Sequence, residues 1–177
     1  MFKFCPSCGS EKIVFERQKV FKCPDCAFSY YHNIAAATGC VIDSGGRIVL
    51  LVRGKEPGKG KLDLPGGFVD LGEGALEGLR REIREELGWT PPGEAAFTFL
   101  ASFANVYPYK NIVYNTCDLF FTLSAPGLLE KDLIPEEKEI AGIEFLRPDE
   151  IDPDRIAFDS ARRAIVAYRD FSRSKEH

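Results

Sequence analysis

The chain has 177 residues, 45% of them apolar, and carries 23 Lys+Arg against 27 Asp+Glu for a net charge of −4. That is enough apolar material for a core without disulfide staples and too much for a disordered chain. It contains no apolar run of the roughly 18 residues that a membrane helix needs, no secretory-signal core behind Met1-Phe2-Lys3-Phe4-Cys5, and no basic excess to attract nucleic acid, so a cytoplasmic protein without a membrane partner is expected.

Cys5-x-x-Cys8 and Cys23-x-x-Cys26 come first, with 14 residues between the pairs. Two such pairs at this separation suit a tetrahedral Zn²⁺ held by four thiolates, and a closed set of four makes the ion structural; the alternative is a redox pair. Each pair carries a proline in its turn and a small residue after it (Cys5-Pro6-Ser7-Cys8-Gly9 and Cys23-Pro24-Asp25-Cys26-Ala27), a shape that aims backbone N–H groups at sulfur. Lys12 to Phe21 alternates well enough for a short hairpin. Residues 1–33 therefore read as a small zinc ribbon, too short to fold on apolar burial alone. Phe21, Phe28, Tyr30 and Tyr31 are expected to cover its mini-core; stacking on bases is the alternative.

Ile34 to Asp43 and Arg47 to Arg53 read as two strands around a Ser44-Gly45-Gly46 turn. A flexible positive loop, Gly54 to Lys61, leads to Leu64-Pro65-Gly66-Gly67-Phe68, where paired glycines demand a turn or a close backbone approach. The period then changes. Leu76, Leu79, Ile83 and Leu87 recur at helical spacing and predict a helix over 74–87 that stops at Gly88. Glu82, Glu85 and Glu86 fall on one side of it, with Arg80, Arg81 and Arg84 interleaved. One explanation is a solvated helix laced with Glu–Arg pairs. The other is a cation site, because gathered carboxylates repel one another until a cation or a raised pKa relieves them, and oxygen ligands of this kind suit Mg²⁺ or Mn²⁺. Strands are expected over Phe97–Val106, Ile112–Leu123 and Ile140–Leu146, and a closing helix over Phe158–Phe171. Cys40 and Cys117 read as core.

Gly67-x5-Glu73-x7-Arg81-Glu82-Ile83-x-Glu85-Glu86-x-Gly88-Trp89 matches every fixed position of the Nudix box, and the chain resembles the Nudix hydrolases. The resemblance covers 34 to about 172 and implies an α/β class: an α/β/α sandwich around a mixed sheet over residues 34–177, preceded by the four-cysteine zinc ribbon. It implies hydrolysis of a phosphoanhydride in a nucleoside diphosphate linked to another group, with NAD(H), ADP-ribose or a related dinucleotide as substrate. By similarity, Glu82 and Glu86 ligate Mg²⁺ or Mn²⁺, Glu85 ligates or acts as base, the carbonyl of Gly66 adds a ligand, and Arg81 orients a glutamate. Glu73 is expected to be structural or a distant metal contact rather than the base, and Glu136, Glu137 and Glu139 are further candidate acids from a later loop, a helix edge or solvated loop being the alternative. A homodimer is common in that family.

The layout of ribbon plus box is similar to the NADH pyrophosphatases, but Ser102 to Lys110 lacks the Trp and two of the three prolines of their run after the box. Tyr107, Tyr109 and Lys110 are candidates to stack on a base and meet a phosphate; an ordinary hairpin tip is the alternative. Rival functions are a non-catalytic nucleotide sensor and RNA 5′-end or cap processing, the latter disfavoured by the acidic balance.

Overall fold

The computed structural model describes residues 2–93, 95–109 and 112–174, with Tyr109 described in its backbone alone. The chain parts after Ile34 into two units, Met1–Ile34 and Ala35–His177.

In the first unit three short strands, β1 (Val14–Glu16), β2 (Val20–Lys22) and β3 (Ser29–Tyr31), form an antiparallel sheet in the order β1-β2-β3. Arg17 and Gln18, with φ of 52° and 54°, turn the first hairpin within the three-residue loop between the paired Glu16 and Val20. Phe21 is buried and stacks on Phe15 at 4.1 Å, with Phe2 tilted against it at 4.8 Å. Of the four aromatics expected in the mini-core, Phe21 is buried, Phe28 half-buried, and Tyr30 and Tyr31 exposed; Tyr30 still meets Phe2 and Phe21 at 5.8 and 6.4 Å, and Phe2 and Phe15 join the cluster unforeseen. Tyr30 pairs with Phe21 and so shares its face, and it is exposed because β3 is an edge strand.

In the second unit the spine is β4 (Ala35–Ser44), joined by β5 (Arg47–Arg53), β6 (Leu62–Asp63), β7 (Gly66–Phe68), β8 (Thr98–Tyr109), β9 (Ile112–Ser124) and β10 (Ile140–Leu146). The order is β10-β5-β4-β9-β8, with β6 on β5 and β7 on β4. The β4–β9 pair is parallel and the others antiparallel, a mixed sheet. β4 pairs with β5 only at Asp43 and Ser44, and its first half pairs instead with β7 through Ala37, Thr38 and Gly39. The sheet therefore forks beside Gly39, and the site lies at that fork.

Helix α1 (Ala75–Leu87) covers one face, with Leu79, Ile83 and Leu87 wholly buried against Cys40, Ile42, Val49 and Phe121. Each such side chain contributes roughly 1.5–3 kcal/mol of burial against about 0.2–1 kcal/mol for an exposed ion pair, so the apolar stripe sets the helix's rotation and the glutamates follow from it. Leu76, expected on the stripe, is exposed; Ala75 takes its place beside the core. Helix α2 (Asp159–Ser174) covers the opposite face with Ala161, Ala164, Ile165 and Tyr168 against Val41, Leu50, Leu62 and Phe120. Two helices thus enclose a mixed sheet, the α/β/α sandwich anticipated above.

β8 runs to Tyr109, past the limit at Val106 read from the sequence, and Tyr107 pairs with Tyr114 and Pro108 with Val113. Pro108 is compatible with a strand because β8 is an edge, where a missing N–H costs no ladder bond. Cys40 is fully buried and Cys117 partly so.

Candidate active site

The four cysteine sulfurs of the first unit lie within 4.8 Å of one another. Cys5 and Cys26 sulfurs are 3.6 Å apart and those of Cys8 and Cys23 3.7 Å. Thiolates about 2.3 Å from a tetrahedral zinc stand about 3.8 Å apart, so the set fits the ion. The turns supply backbone order: Gly9 N–H donates to the Cys5 carbonyl and Cys5 N–H to that of Ser10.

In the second unit the two glycines between β6 and α1 bring backbone against the helix's acids. Gly66 has φ 145°, and a Cβ there would meet the Thr38 carbonyl oxygen at 2.1 Å. Its N–H donates to Glu86 Oε2 at 2.8 Å. A Cβ on Gly67 would fall 2.5 Å from the Glu82 carboxyl. A larger residue at Gly66 would have to move the β4 backbone, and one at Gly67 would have to move Glu82.

Arg81 is the hub of this region. It donates to both carboxylate oxygens of Glu73 (2.8 and 3.0 Å), to Glu82 (2.8 Å), to Glu85 (3.2 Å) and to the Phe68 carbonyl (2.9 Å). That grip holds the Glu73 carboxyl below the usual range, and Glu73 also accepts from the Asp70 N–H. It ties the loop before α1 to Arg81. Burial raises the Glu82 pKa against the pull of Arg81. Burial pushes Glu86 well above the ordinary carboxylate value; the Gly66 N–H opposes this, and Glu82, Asp63 and Glu139 add to it. Among the described residues only the cysteines form a tight metal-type cluster. Glu82 and Glu85 sit on Arg81 and Glu86 on Gly66, so the three glutamates share a helix side without converging on one point. Glu85 is the outlier, its side chain 54% exposed. The donor set, two half-buried carboxylates with raised pKa beside a glycine bend, suits a hard divalent cation.

These acids line one end of a cleft of about 270 Å³. Tyr107, expected to touch substrate, lines it too, edge-on to Phe68 and tilted against Phe158, with ring centres 5.5 Å apart in each pair. The Tyr109 side chain and Lys110 lie outside the described residues. Of the three later acids, Glu139 reaches the cleft and pairs with Lys55, whereas Glu136 and Glu137 do not line it.

Sequence reasoning passed over two buried acids here. Asp63 pairs with Arg53 at 3.0 Å and accepts from the Leu64 N–H at 2.9 Å, while burial raises its pKa to about 6. Arg53 also lies over the Phe158 ring at 4.8 Å. Asp118 is buried on β9 with Asn105, Thr116 and Ser160 around it. The signal was present: each is a lone acid inside an apolar strand pattern, Leu62-Asp63-Leu64 and Asp118-Leu119-Phe120.

A family model for the NUDIX domain matches residues 32–168. The chain belongs to the NUDIX domain family. Its similarity to an NAD-capped RNA hydrolase, NudC, of Pseudomonas aeruginosa is 30% identity over 86 residues, 49% of this chain and 31% of that one. To an ADP-ribose pyrophosphatase of Methanocaldococcus jannaschii it is 44% over 62 residues, 35% of this chain and 36% of that one. The chain thus spans about a third of the length of these NUDIX relatives. A NUDIX hydrolase from Nitrosomonas europaea superposes with a TM-score of 0.67 at 24% identity, covering 93% of this chain and 88% of that one. The NUDIX domain of Shewanella oneidensis NrtR, solved with ADP ribose, gives 0.64 at 16% identity, covering 79% and 89%. Both likenesses are of fold.

Proposed function

We propose that the chain is a metal-dependent hydrolase that cleaves a phosphoanhydride in a nucleoside diphosphate linked to another group, with NAD(H), ADP-ribose or a related dinucleotide as substrate. The observation that carries this is the glycine bend at the fork: the Gly66 N–H is 2.8 Å from Glu86, and Gly67 leaves room for Glu82 that any side chain would fill. The names of the pseudomonad and archaeal relatives support the substrate class.

In this reading Glu82, Glu86 and the Gly66 carbonyl hold Mg²⁺ or Mn²⁺, with Glu85 as a further ligand or the base. Divalent ions, once bound, neutralise the pyrophosphate and polarise its phosphoryl oxygens. The chain supplies the rest. Arg81 fixes the glutamate side chains through charge-assisted bonds. Phe68, Tyr107 and Phe158 form an aromatic wall on which a base stacks. Arg53 and Lys55, which also line the cleft, attract the anionic substrate. The cysteines of residues 1–33 hold a structural zinc. No helix among the described residues is long and apolar enough to cross a membrane, consistent with a cytoplasmic enzyme.

Glu86→Gln keeps the size of the side chain and its acceptor for the Gly66 N–H but removes the charge. Turnover of NADH or ADP-ribose with Mg²⁺, followed by mass-spectrometric identification of products, should fall by about a thousandfold or more, with the melting temperature at or above that of the parent. Equal turnover in the folded variant rejects the metal role. Tight binding of these nucleotides with no product from the parent protein makes the chain a sensor instead.

A further inference from the structure

Resting on the nucleotide reading, the end of the cleft walled by β8, β9 and the start of α2 carries information about what group enters it. Residue alternation puts Thr116, Asp118 and Phe120 of β9 on the α2 face of the sheet, opposite Asn105, Phe103 and Ala101 of β8. Ser160, at the start of α2, closes over them. Asp118 accepts from all three polar neighbours: Thr116 Oγ1 at 2.5 Å, Ser160 Oγ at 2.6 Å and Asn105 Nδ2 at 2.9 Å. All four side chains line the cleft.

A carboxylate has acceptors only, and a hydroxyl has one proton. The protons of Thr116 and Ser160 both point into Asp118, so what each hydroxyl has left is lone pairs. The Asn105 amide gives one N–H to the carboxylate, which turns its oxygen the other way; it keeps a second N–H, so three acceptor oxygens (Thr116, Ser160, Asn105) stand against one donor. We infer that Asp118 makes this end of the cleft a hydrogen-bond acceptor and so selects nucleotides bearing an N–H₂ donor, the amino group of a base or a primary carboxamide, over their keto or acid counterparts. Asp118 is a positioning residue in this scheme: it works through Thr116, Ser160 and Asn105. Glue alone does not call for such a group, since apolar side chains of similar size hold a strand to a helix without desolvating a charge. The adjoining wall of Phe68, Tyr107 and Phe158 suits the flat ring that would carry the donor.

The test is equilibrium binding to the full chain with its zinc, using mononucleotides that contain no phosphoanhydride. AMP against IMP exchanges an amino group for a keto oxygen; nicotinamide mononucleotide against nicotinic acid mononucleotide exchanges an amide for an acid. The N–H₂ member of at least one pair should bind about tenfold or more tightly, and the pair that shows it names the group. In Asp118→Asn the side-chain amide can itself donate, the hydroxyls are free to turn outward, and the ratio should fall to within about threefold. Thr116→Ser should keep the ratio, and Thr116→Val should weaken the N–H₂ member alone, which covers the case of an Asp118 variant that does not fold. A general loss of structure would weaken both members of a pair together and leave the ratio unmoved. No discrimination by the parent, no binding of any of the four, or an unchanged ratio in folded Asp118→Asn would overturn the inference. Discrimination without turnover of any dinucleotide would instead strike the proposed reaction and leave the acceptor pocket standing.

Discussion

Gly67 shows how a residue with no side chain can define a catalytic one. Its Cβ would lie 2.5 Å from the Glu82 carboxyl, and its φ is not in the left-handed region, so alanine is compatible with the backbone and objects only to the glutamate. Gly67→Ala should therefore lower kcat/KM by about a hundredfold through displacement of Glu82, with little change in melting temperature; an unimpaired folded variant would separate Glu82 from the chemistry. Asp63 makes a prediction about pH. Burial raises its folded pKa to about 6 despite Arg53, so between about pH 4 and 6 the folded state holds a proton that the unfolded chain has released. Its contribution is present below that window and is lost as pH rises through it. The unfolding free energy of the parent relative to Asp63→Asn should fall by roughly 2 kcal/mol from pH 4 to pH 7, measured by urea titration at each pH. A flat difference would mean that Asp63 ionises as it does in water. The box glutamates were legible because a helix repeats and their spacing carries the geometry. Asp63 and Asp118 were legible only as lone acids in apolar runs, because their meaning comes from partners on β5, β8 and α2 that no local period announces.

The elements follow their local chemistry closely where a stop or start residue exists. α1 ends at Gly88 with φ 59°, its N–H on the Arg84 carbonyl, and β4 turns into β5 through Gly45 and Gly46, with Asp43 accepting the Gly46 N–H at 2.7 Å. Where the residue type misled, as at Pro108, sheet position decided: an edge strand tolerates what a central one does not. Gly88 also has a task beyond ending a helix. The Leu87 and Glu86 carbonyls accept from Ile134 and Glu136, so the segment that leads to Glu139 docks on the helix end beside it. A Cβ at Gly88 would meet the Ile134 carbonyl oxygen at 2.7 Å as well as strain the left-handed backbone. Gly88→Ala should destabilise the second unit by roughly 2 kcal/mol, lowering its melting temperature by about 5 °C. It should also lower kcat if Glu139 is part of the working cleft; a stability loss with unchanged turnover would leave Glu139 outside it.

At the scale of the whole molecule, two units rest on different physics. The second has two apolar layers around its sheet and needs no metal to fold. The first buries little beyond Phe21, Val20 and two of its cysteines, and apolar burial of that size cannot offset the backbone entropy of some 30 ordered residues, about 1–2 kcal/mol each. In the reading proposed above, its fold comes from a zinc ion that its sulfurs would hold. In the sequence, paired cysteines mark a candidate metal unit as periodic leucines mark a helix; how the glutamates are shared between Arg81 and Gly66 was not legible there, because that depends on a loop meeting a helix. A zinc chelator such as phenanthroline should therefore abolish hydrogen-exchange protection in Val14–Glu16 and Val20–Lys22 while Val41, Leu50 and Ile83 keep theirs. Cys8→Ser should do the same without chelator. Protection lost in both units together would mean that the second depends on the first, and protection kept in both would mean that the aromatic mini-core suffices without metal.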